Sequence, residues 1–253
     1  MLEGPFFVCE GLTDSEQEVF VSEESMSNPI LCLFEDEVAS GFYPLTATRH
    51  VGDLLVGTRL LSERAASYFP NYSLRIIGRR QIEEHASKSA VLSRGPAATD
   101  AASELVLFLN ARLSVTSAVV ESLDLSRSWI VVEGDTVVAA SIFVQDLDRL
   151  FPEQKPGERP RFELLTDYER LSIPQPTLYR WIWELLDANA GVIAEDALDT
   201  ERFSLIGPVH GVHVVHPEGV RVAGDIKIAP GCVLDASAGP IVFGQGVTVM
   251  PNS

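Results

Sequence analysis

Residues 35–52 contain the residue types that make turns and bind anions. Gly41 lacks a side chain, so the backbone N–H groups around it could approach phosphate oxygens. Arg49 is the first Lys or Arg of the chain, and the run Pro44-Leu45-Thr46-Ala47-Thr48 lies between these two residues. A segment of this composition can hold a phosphate group. Arg49 could equally be an ordinary base on a solvated surface.

The sequence on either side predicts where this loop lies in the fold. Residues 30–34 are an apolar run short enough to be a buried strand. From Asp53 onward the spacing predicts a helix with one face formed by Leu54, Gly57, Leu61, Ala65 and Tyr68. In an α/β sheet, the order strand, loop, helix places the loop where nucleotides and phosphates bind. The same order also fits the first βα unit of any α/β domain.

Further strands are predicted downstream. Residues 72–78 read as a second strand followed by a short helix at 81–87, which is the pattern of a βαβ unit with a right-handed crossover. Residues 104–109 are apolar without alternation, as in a central parallel strand. Two β-rich runs within 128–144 flank Glu133-Gly134-Asp135 and predict a hairpin.

The pattern over residues 176–190 predicts a helix that begins at Pro176 and ends before Gly191. Its apolar residues are expected to pack in the core or between domains, and a ligand role for a tryptophan is not favoured. The predicted apolar face consists of Leu178, Trp181, Ile182, Leu185 and Leu186.

The strand at 104–109 is followed by two polar residues, Asn110 and Arg112. The amide of Asn110 could orient a sugar or nucleotide group, or it could cap a helix that begins near Ser114. As a neutral group it would bind a metal ion more weakly than a carboxylate. The acidic residues 35–37 are interpreted as a solvated turn.

The loop after the first strand resembles the signature loop of sugar-1-phosphate nucleotidyltransferases. It reads Ser40-Gly41-Phe42-Tyr43-Pro44-Leu45-Thr46, with Arg49 three residues later and Gly57 in the predicted helix. The similarity is greatest to sugar nucleotidyltransferases related to the bifunctional N-acetylglucosamine-1-phosphate uridyltransferase/acetyltransferase. In these enzymes a sugar 1-phosphate oxygen attacks the α-phosphate of a nucleoside triphosphate, and pyrophosphate leaves.

This resemblance implies a role for each matching residue. Arg49 would contact the phosphates, Asn110 with Arg112 would face the nucleotide or sugar, and Arg49 and Asn110 are the expected catalytic residues. Mg²⁺ is implied as the cofactor, and no protein ligand for it is identified. The expected substrate- and nucleotide-binding residues are Ser40, Gly41, Phe42, Pro44, Leu45, Thr46, Arg49, Asn110 and Arg112.

His50 stands where proline is usual in the family. Two other departures favour an alternative function. The superfamily loop reads Gly-x-Gly-Thr-Arg, whereas this chain offers only Gly41 there. Asn110 stands where the catalytic superfamily has the aspartate that holds Mg²⁺. The alternative is a non-catalytic sugar-nucleotide-binding or scaffold module.

From Val214 the sequence falls into the hexads VVHPEG, VRVAGD, IKIAPG, CVLDAS, IVFGQG and VTVMPN. A six-residue period predicts a parallel β-helix and resembles the left-handed hexapeptide-repeat class, whereas Gly-rich hairpins are the alternative. In extended chain, residues three apart face opposite sides, so His210, His213 and His216 do not predict a metal site. The expected inward residues are Val214, Val220, Ile226, Cys232, Ile241 and Val247.

About two coils are expected, which would leave an open strand edge of the kind that proteins normally cover. We therefore expect the chain to be a piece of a longer protein, whose further β-helix could carry an acyltransferase. β-helices of this class often form homotrimers, so the resemblance implies a homotrimer through this region.

Composition limits the function classes. The 253 residues carry a formal net charge of −17, which argues against nucleic acid as a partner but leaves small anionic substrates open. Three scattered cysteines predict neither disulfides nor a zinc site. No apolar run reaches the ~20 residues of a membrane helix, and a cytoplasmic location is expected by default.

The expected architecture has three parts. Residues 1–28 form an acidic N-terminal extension. Residues 29–203 form a Rossmann-like nucleotidyltransferase α/β domain with a mixed, mainly parallel sheet. Residues 204–253 form the start of a left-handed parallel β-helix.

Overall fold

The computed structural model describes residues 29–78, 105–153, 158–174 and 176–253. The predicted extension at 1–28 and the predicted helix at 81–87 lie outside these ranges. None of the described helices is long and apolar enough to cross a membrane.

The described residues form four α-helices and fifteen strands. The helices are α1 (Leu61–Tyr68), α2 (Ser117–Glu121), α3 (Leu147–Leu150) and α4 (Ile182–Asp196). The strands are β1 (Ile30–Phe34), β2 (Leu55–Val56), β3 (Arg59–Leu60), β4 (Ser73–Ile77), β5 (Leu105–Asn110), β6 (Trp129–Glu133), β7 (Thr136–Phe143), β8 (Arg170–Leu171), β9 (Ser204–Leu205), β10 (His213–Val215), β11 (Val220–Val222), β12 (Lys227–Ile228), β13 (Val233–Asp235), β14 (Ile241–Phe243) and β15 (Thr248–Val249).

A six-stranded mixed sheet with the order β4-β1-β5-β7-β6-β8 organises the α/β region. β1 lies parallel to both β4 and β5, and β8 is parallel to β6. β7 is antiparallel to β5 and to β6. The predicted mixed, mainly parallel α/β sheet is therefore confirmed, as are the strands predicted at 30–34, 72–78 and 104–109 and the hairpin within 128–144.

Both faces of the central strands are buried, as expected for parallel strands between two layers. Side chains of β1 alternate, so Leu31 and Leu33 face one apolar core while Cys32 and Phe34 face the other. The first core is covered by α1, α2 and α4, and the second by α3. The sheet thus fixes where each strand ends, and the ends position the loops.

The prediction of a helix starting at Asp53 is wrong. Residues 55–60 form the β2–β3 hairpin, and α1 begins only at Leu61. Gly57 has φ +69°, which suits a turn rather than a helix. Its N–H donates to Asn189 Oδ1 at 2.7 Å, so a contact with α4, distant in sequence, determines this turn.

The predicted bounds 176–190 of the later helix are also wrong, since α4 runs through Gly191 to Asp196. Before α4 the chain is extended and pairs with residues 112–114: Tyr179 N–H donates to Arg112 O at 3.0 Å. Glu184 caps the start of α4 by accepting from Trp181 N–H at 3.2 Å. Of the predicted apolar face, Leu185 is buried, whereas Leu186 is 70% exposed and Trp181 is 45% exposed.

The strands after residue 212 pair in parallel with a constant step of three: β10 with β13, β11 with β14, and β12 with β15. The alternative of Gly-rich hairpins is therefore wrong for these strands. Val220 and Leu234 are buried between them, with Val214 and Ile241 partly buried against the same cluster. β9 pairs antiparallel with β11 and links this region to the chain before it.

Asp196, at the end of α4, joins the β2–β3 hairpin to α1. Its Oδ2 accepts from the N–H of Thr58 at 2.7 Å and from the hydroxyl of Thr58 at 2.8 Å, and Arg64 Nη2 donates to both carboxylate oxygens at 2.9 Å. Burial alone would raise the pKa of Asp196, but the hydrogen bonds from Thr58 and the charge of Arg64 outweigh it and lower that pKa.

We expect Asp196→Ala to lower the free energy of unfolding by about 3–5 kcal/mol, because it leaves Arg64 unpaired in a site with little solvent. Urea unfolding measures this loss. Asp167→Ala is the matched control, since Asp167 also pairs with an arginine but is 60% exposed. The control should leave the unfolding midpoint unchanged. Equal losses in the two variants would contradict this role of Asp196.

Candidate functional site

A cavity of about 540 Å³ opens beside the carboxyl ends of β1 and β5. These two strands are parallel neighbours, with Phe34 opposite Asn110, so their following residues meet at one edge of the sheet. Residues 177–181 close the other side. The cavity is lined by Glu37, Val38, Ser40, Gly41, Arg112, Thr136, Leu178, Arg180 and Trp181.

The loop after β1 is held by three short 3₁₀ helices, Glu37–Phe42, Leu45–Ala47 and Val51–Asp53. Phe42 is fully buried in the core beneath the loop, and the buried Thr46 donates its hydroxyl to Ala39 O at 3.4 Å. Ser40 and Gly41, within the first of these 3₁₀ helices, line the cavity.

A buried ion pair joins this loop to the end of β5. Arg112 Nε donates to Asp36 Oδ1 at 2.9 Å, and its Nη2 donates to Asp36 Oδ2. Its Nη1 donates to Tyr179 O at 2.6 Å. The guanidinium is 1% exposed and thus connects both walls of the cavity. Such fork-like pairing fixes geometry as well as charge.

Asn110 completes this cluster. Its amide nitrogen donates to Asp36 Oδ2 at 2.9 Å and to Val137 O at 3.0 Å, and its Oδ1 accepts from Arg112 N–H at 3.1 Å. Burial alone would raise the pKa of Asp36. The hydrogen bonds from Arg112 and Asn110, with the charge of Arg112, outweigh burial and hold that pKa below its usual value.

The acidic residues 35–37 are only partly the solvated turn that was predicted. Glu35 is 2% exposed and accepts from Val51 N–H at 2.9 Å, and Asp36 is paired as above. Only Glu37 is exposed.

The buried His50 accepts from Gly52 N–H on Nδ1 at 3.0 Å, so its Nε2 carries the proton and donates to Ile77 O at 3.1 Å. His50 therefore ties the loop to β4.

The structure brings only some of the predicted site residues to the cavity. Ser40, Gly41 and Arg112 line it, whereas Asn110 is 1% exposed and lies in the polar cluster rather than at the lining. Asn110 does not cap a helix either, because Thr116 caps α2. Of the others, Phe42 and Thr46 are buried beneath the loop, and Pro44, Leu45 and Arg49 are exposed outside the lining.

Gly41 is needed for a reason other than the one predicted. A Cβ at this position would collide with Arg180 O and would lie 3.2 Å from Trp181 Cε3. The missing side chain therefore lets the loop and residues 180–181 approach each other closely. This contact joins two walls of the cavity.

Two residues that are not among the predicted site residues, Arg180 and Trp181, line the cavity. Trp181 stacks on Trp183 with ring centroids 5.1 Å apart and an interplanar angle of 11°. The sequence did contain a signal that Trp181 and Trp183 do not both pack on one helix face: residues two apart in a helix do not face each other. Trp181 precedes α4 and is free of that helical constraint.

Mg²⁺, the implied cofactor, would need oxygen ligands at the cavity. Among the described residues, no group of three or more His, Cys, Asp or Glu side chains could hold a metal ion. Mg²⁺ needs only one or two carboxylates when phosphates and water supply the other oxygens. Glu37 offers an exposed carboxylate at the lining. Asn110 does not fit, since both atoms of its amide are already hydrogen bonded.

Comparison with family models gives a match that covers the cavity. The model described as sugar nucleotidyl transferase aligns with residues 31–202, which is more than half of the chain and includes every residue of the cavity. Comparison with curated proteins finds no significant match.

We expect Asp36→Asn to lower the free energy of unfolding by about 3–5 kcal/mol at neutral pH, because it leaves the buried Arg112 without its counter-charge. The pKa of Asp36 in the fold is below its unfolded value of about 3.9. Its contribution is therefore complete above that value and is lost as pH falls through the folded-state pKa. In urea unfolding, the difference from wild type should shrink below about pH 4.

Asp124→Asn is the control for this experiment. Asp124 also pairs with an arginine, Arg127, but both side chains are 47% exposed. The control should behave like wild type at each pH. A difference between wild type and Asp36→Asn that grows as the pH falls would contradict the assignment.

Proposed function

Because the chain belongs to the sugar nucleotidyl transferase family, we propose that its cavity binds a nucleoside triphosphate and a sugar 1-phosphate and joins them. A phosphate oxygen of the sugar 1-phosphate attacks the α-phosphorus in line, and the bond to the β-phosphate oxygen breaks. The products are a nucleoside diphosphate sugar and pyrophosphate. The observation that carries the proposal is the cavity at the carboxyl ends of β1 and β5, within the matched residues.

The residues of the chain act mainly by positioning, since phosphoryl transfer depends on alignment and on stabilising negative charge. Ser40 and Gly41 line the cavity, and under this proposal the phosphates lie beside them. Arg112 acts indirectly: its guanidinium is engaged by Asp36 and Tyr179 O, so it holds the two walls in register. Arg49 is proposed only as an outer contact, since it is exposed beyond the lining.

Mg²⁺ would be held by the Glu37 carboxylate together with the substrate phosphates. Bound there, the ion would neutralise charge that develops on the phosphate oxygens. Asp36 remains the partner of Arg112 and Asn110 and supports the backbone of the loop by accepting from Val38 N–H at 3.1 Å.

A second candidate function is a non-catalytic sugar-nucleotide-binding or scaffold module. Two observations favour it. The polar atoms of Asn110 and Arg112 are occupied by contacts within the protein, and Gly41 is needed for packing against Arg180. Under this alternative the same cavity binds nucleotide without turnover.

We also propose that the chain divides into a nucleotidyltransferase domain at 29–203 and the start of a left-handed parallel β-helix at 204–253. The support is the regular step of three between parallel partners, which a three-sided coil requires, together with the buried Val220 and Leu234. A crystal structure in which β10, β11 and β12 coil with right-handed sense would overturn the assignment of hand.

Pyrophosphate release, assayed with Mg²⁺ over a panel of nucleoside triphosphates and sugar 1-phosphates, tests the proposed reaction. We expect turnover with at least one pair. Glu37→Gln should lower kcat about 100-fold, because the neutral amide that replaces the carboxylate would hold Mg²⁺ more weakly where negative charge forms in the transition state. Glu163→Gln is the control, since Glu163 is exposed and outside the cavity lining.

Saturable nucleotide binding without turnover would select the binding module instead. Neither binding nor turnover with any pair would contradict both functions. Equal kcat in Glu37→Gln and wild type would remove Glu37 from the site while leaving the reaction standing.

A further inference from the structure

The wall opposite the Ser40–Gly41 loop carries an arginine and a tryptophan side by side. We propose that Arg180 and Trp181 recognise the nucleotide, with the Arg180 guanidinium binding its phosphates and the Trp181 indole stacking on its base. The inference rests on the proposed function, because it assigns the substrate of the same cavity to two residues of its second wall.

The charge of the cavity favours this role for Arg180. The chain has a formal net charge of −17, so a polyphosphate needs a local cation to bind. Arg112 also lines the cavity, but Asp36 and Tyr179 O engage its guanidinium. Arg180 is exposed, and its guanidinium has no hydrogen bond or ion pair within the described part of the chain. A free arginine fork suits phosphate oxygens.

Backbone groups near Arg180 do not offer an alternative anion site. The N–H groups of Arg180 and Trp181 both point at one carboxylate oxygen of Glu184, at 2.5 Å and 3.2 Å. The start of α4 is thus already capped by a negative charge from its own chain. Binding of phosphate at this wall therefore falls to the side chain of Arg180.

The exposed tryptophans favour a planar ligand. Trp181 and Trp183 are 45% and 57% exposed, although Trp129 shows that the fold can bury a tryptophan completely. The two exposed rings stack nearly parallel at 5.1 Å, so Trp181 is supported on one side by a second aromatic ring. Stacking on such a surface suits the flat face of any nucleobase.

The close packing at Gly41 fixes this wall before a ligand binds. Arg180 O and Trp181 Cε3 lie against the Cα of Gly41, so the tryptophan is held at a set distance from the backbone expected to hold the phosphates. A nucleotide can then contact the loop with its phosphates and Trp181 with its base at little cost in ordering the protein.

Isothermal titration calorimetry with ATP, GTP, CTP, UTP and inorganic tripolyphosphate separates the two roles. For the nucleotide that wild type binds best, Trp181→Leu should weaken binding about tenfold and leave tripolyphosphate binding unchanged, because only the nucleotide has a base to stack. Arg180→Ala should weaken both the nucleotide and tripolyphosphate about tenfold, because both carry the phosphates.

Lys227→Ala and Leu186→Ala are the controls. Lys227→Ala removes an exposed cation and Leu186→Ala removes an exposed apolar side chain, both outside the cavity lining. Both variants should bind nucleotide and tripolyphosphate as wild type does. Both test substitutions alter exposed side chains, so unchanged thermal midpoints are expected and would show that folding is intact.

Three results would overturn the inference. If both test variants bind the nucleotide within twofold of the wild-type affinity, Arg180 and Trp181 are not part of the site. The proposed function would still stand in that case, because the wild-type protein binds the nucleotide. Self-association that Trp181→Leu abolishes without changing nucleotide affinity would identify the stacked rings as a protein interface. A wild-type protein that binds none of the four nucleotides and shows no turnover would overturn the proposed function itself.

Discussion

The buried pair between Asp36 and Arg112 is the interaction on which the site depends. It joins the loop after β1 to the residues after β5, and the same guanidinium reaches Tyr179 O on the wall beyond. An isolated buried arginine would be strongly unfavourable, so the geometry of the cluster is set by the need to satisfy one charge. Asn110 adds two donors and one acceptor to this network, which leaves little freedom for the strand ends that frame the cavity.

This arrangement separates the residues that support the cavity from those available to a ligand. In the sequence, Arg112 and Asn110 were expected to contact the substrate. In the structure, their polar atoms are hydrogen bonded to other groups of the protein. Glu37 and Arg180 are exposed at the lining, with opposite charges on its two sides. Within the described part of the chain Arg180 has no ion pair, so in a protein of net charge −17 it supplies a local positive charge beside the cavity.

Much of the fold could be predicted from local pattern. Apolar runs predicted β1, β4 and β5, a Gly-Asp turn predicted the β6–β7 hairpin, and the hexad period placed most of the later strands. The two helix boundaries failed because the deciding contacts come from elsewhere. Gly57 is held by Asn189, 132 residues away, and the chain before α4 pairs with residues 112–114. The periodicity of a short stretch of sequence contains no information about contacts with residues that are distant in sequence.

By itself, the sequence determined most of the order of elements, the position of the loop after β1 and the resemblance to a family, because these depend on residue types at short spacing. Only the tertiary structure decided which side chains meet at the cavity. Arg112 and Asp36 are 76 residues apart, so their pairing depends on β1 and β5 being neighbours in the sheet. Trp181 was predicted to pack in a core and instead lines the cavity, because Gly41 and the Glu184 cap hold it outside α4.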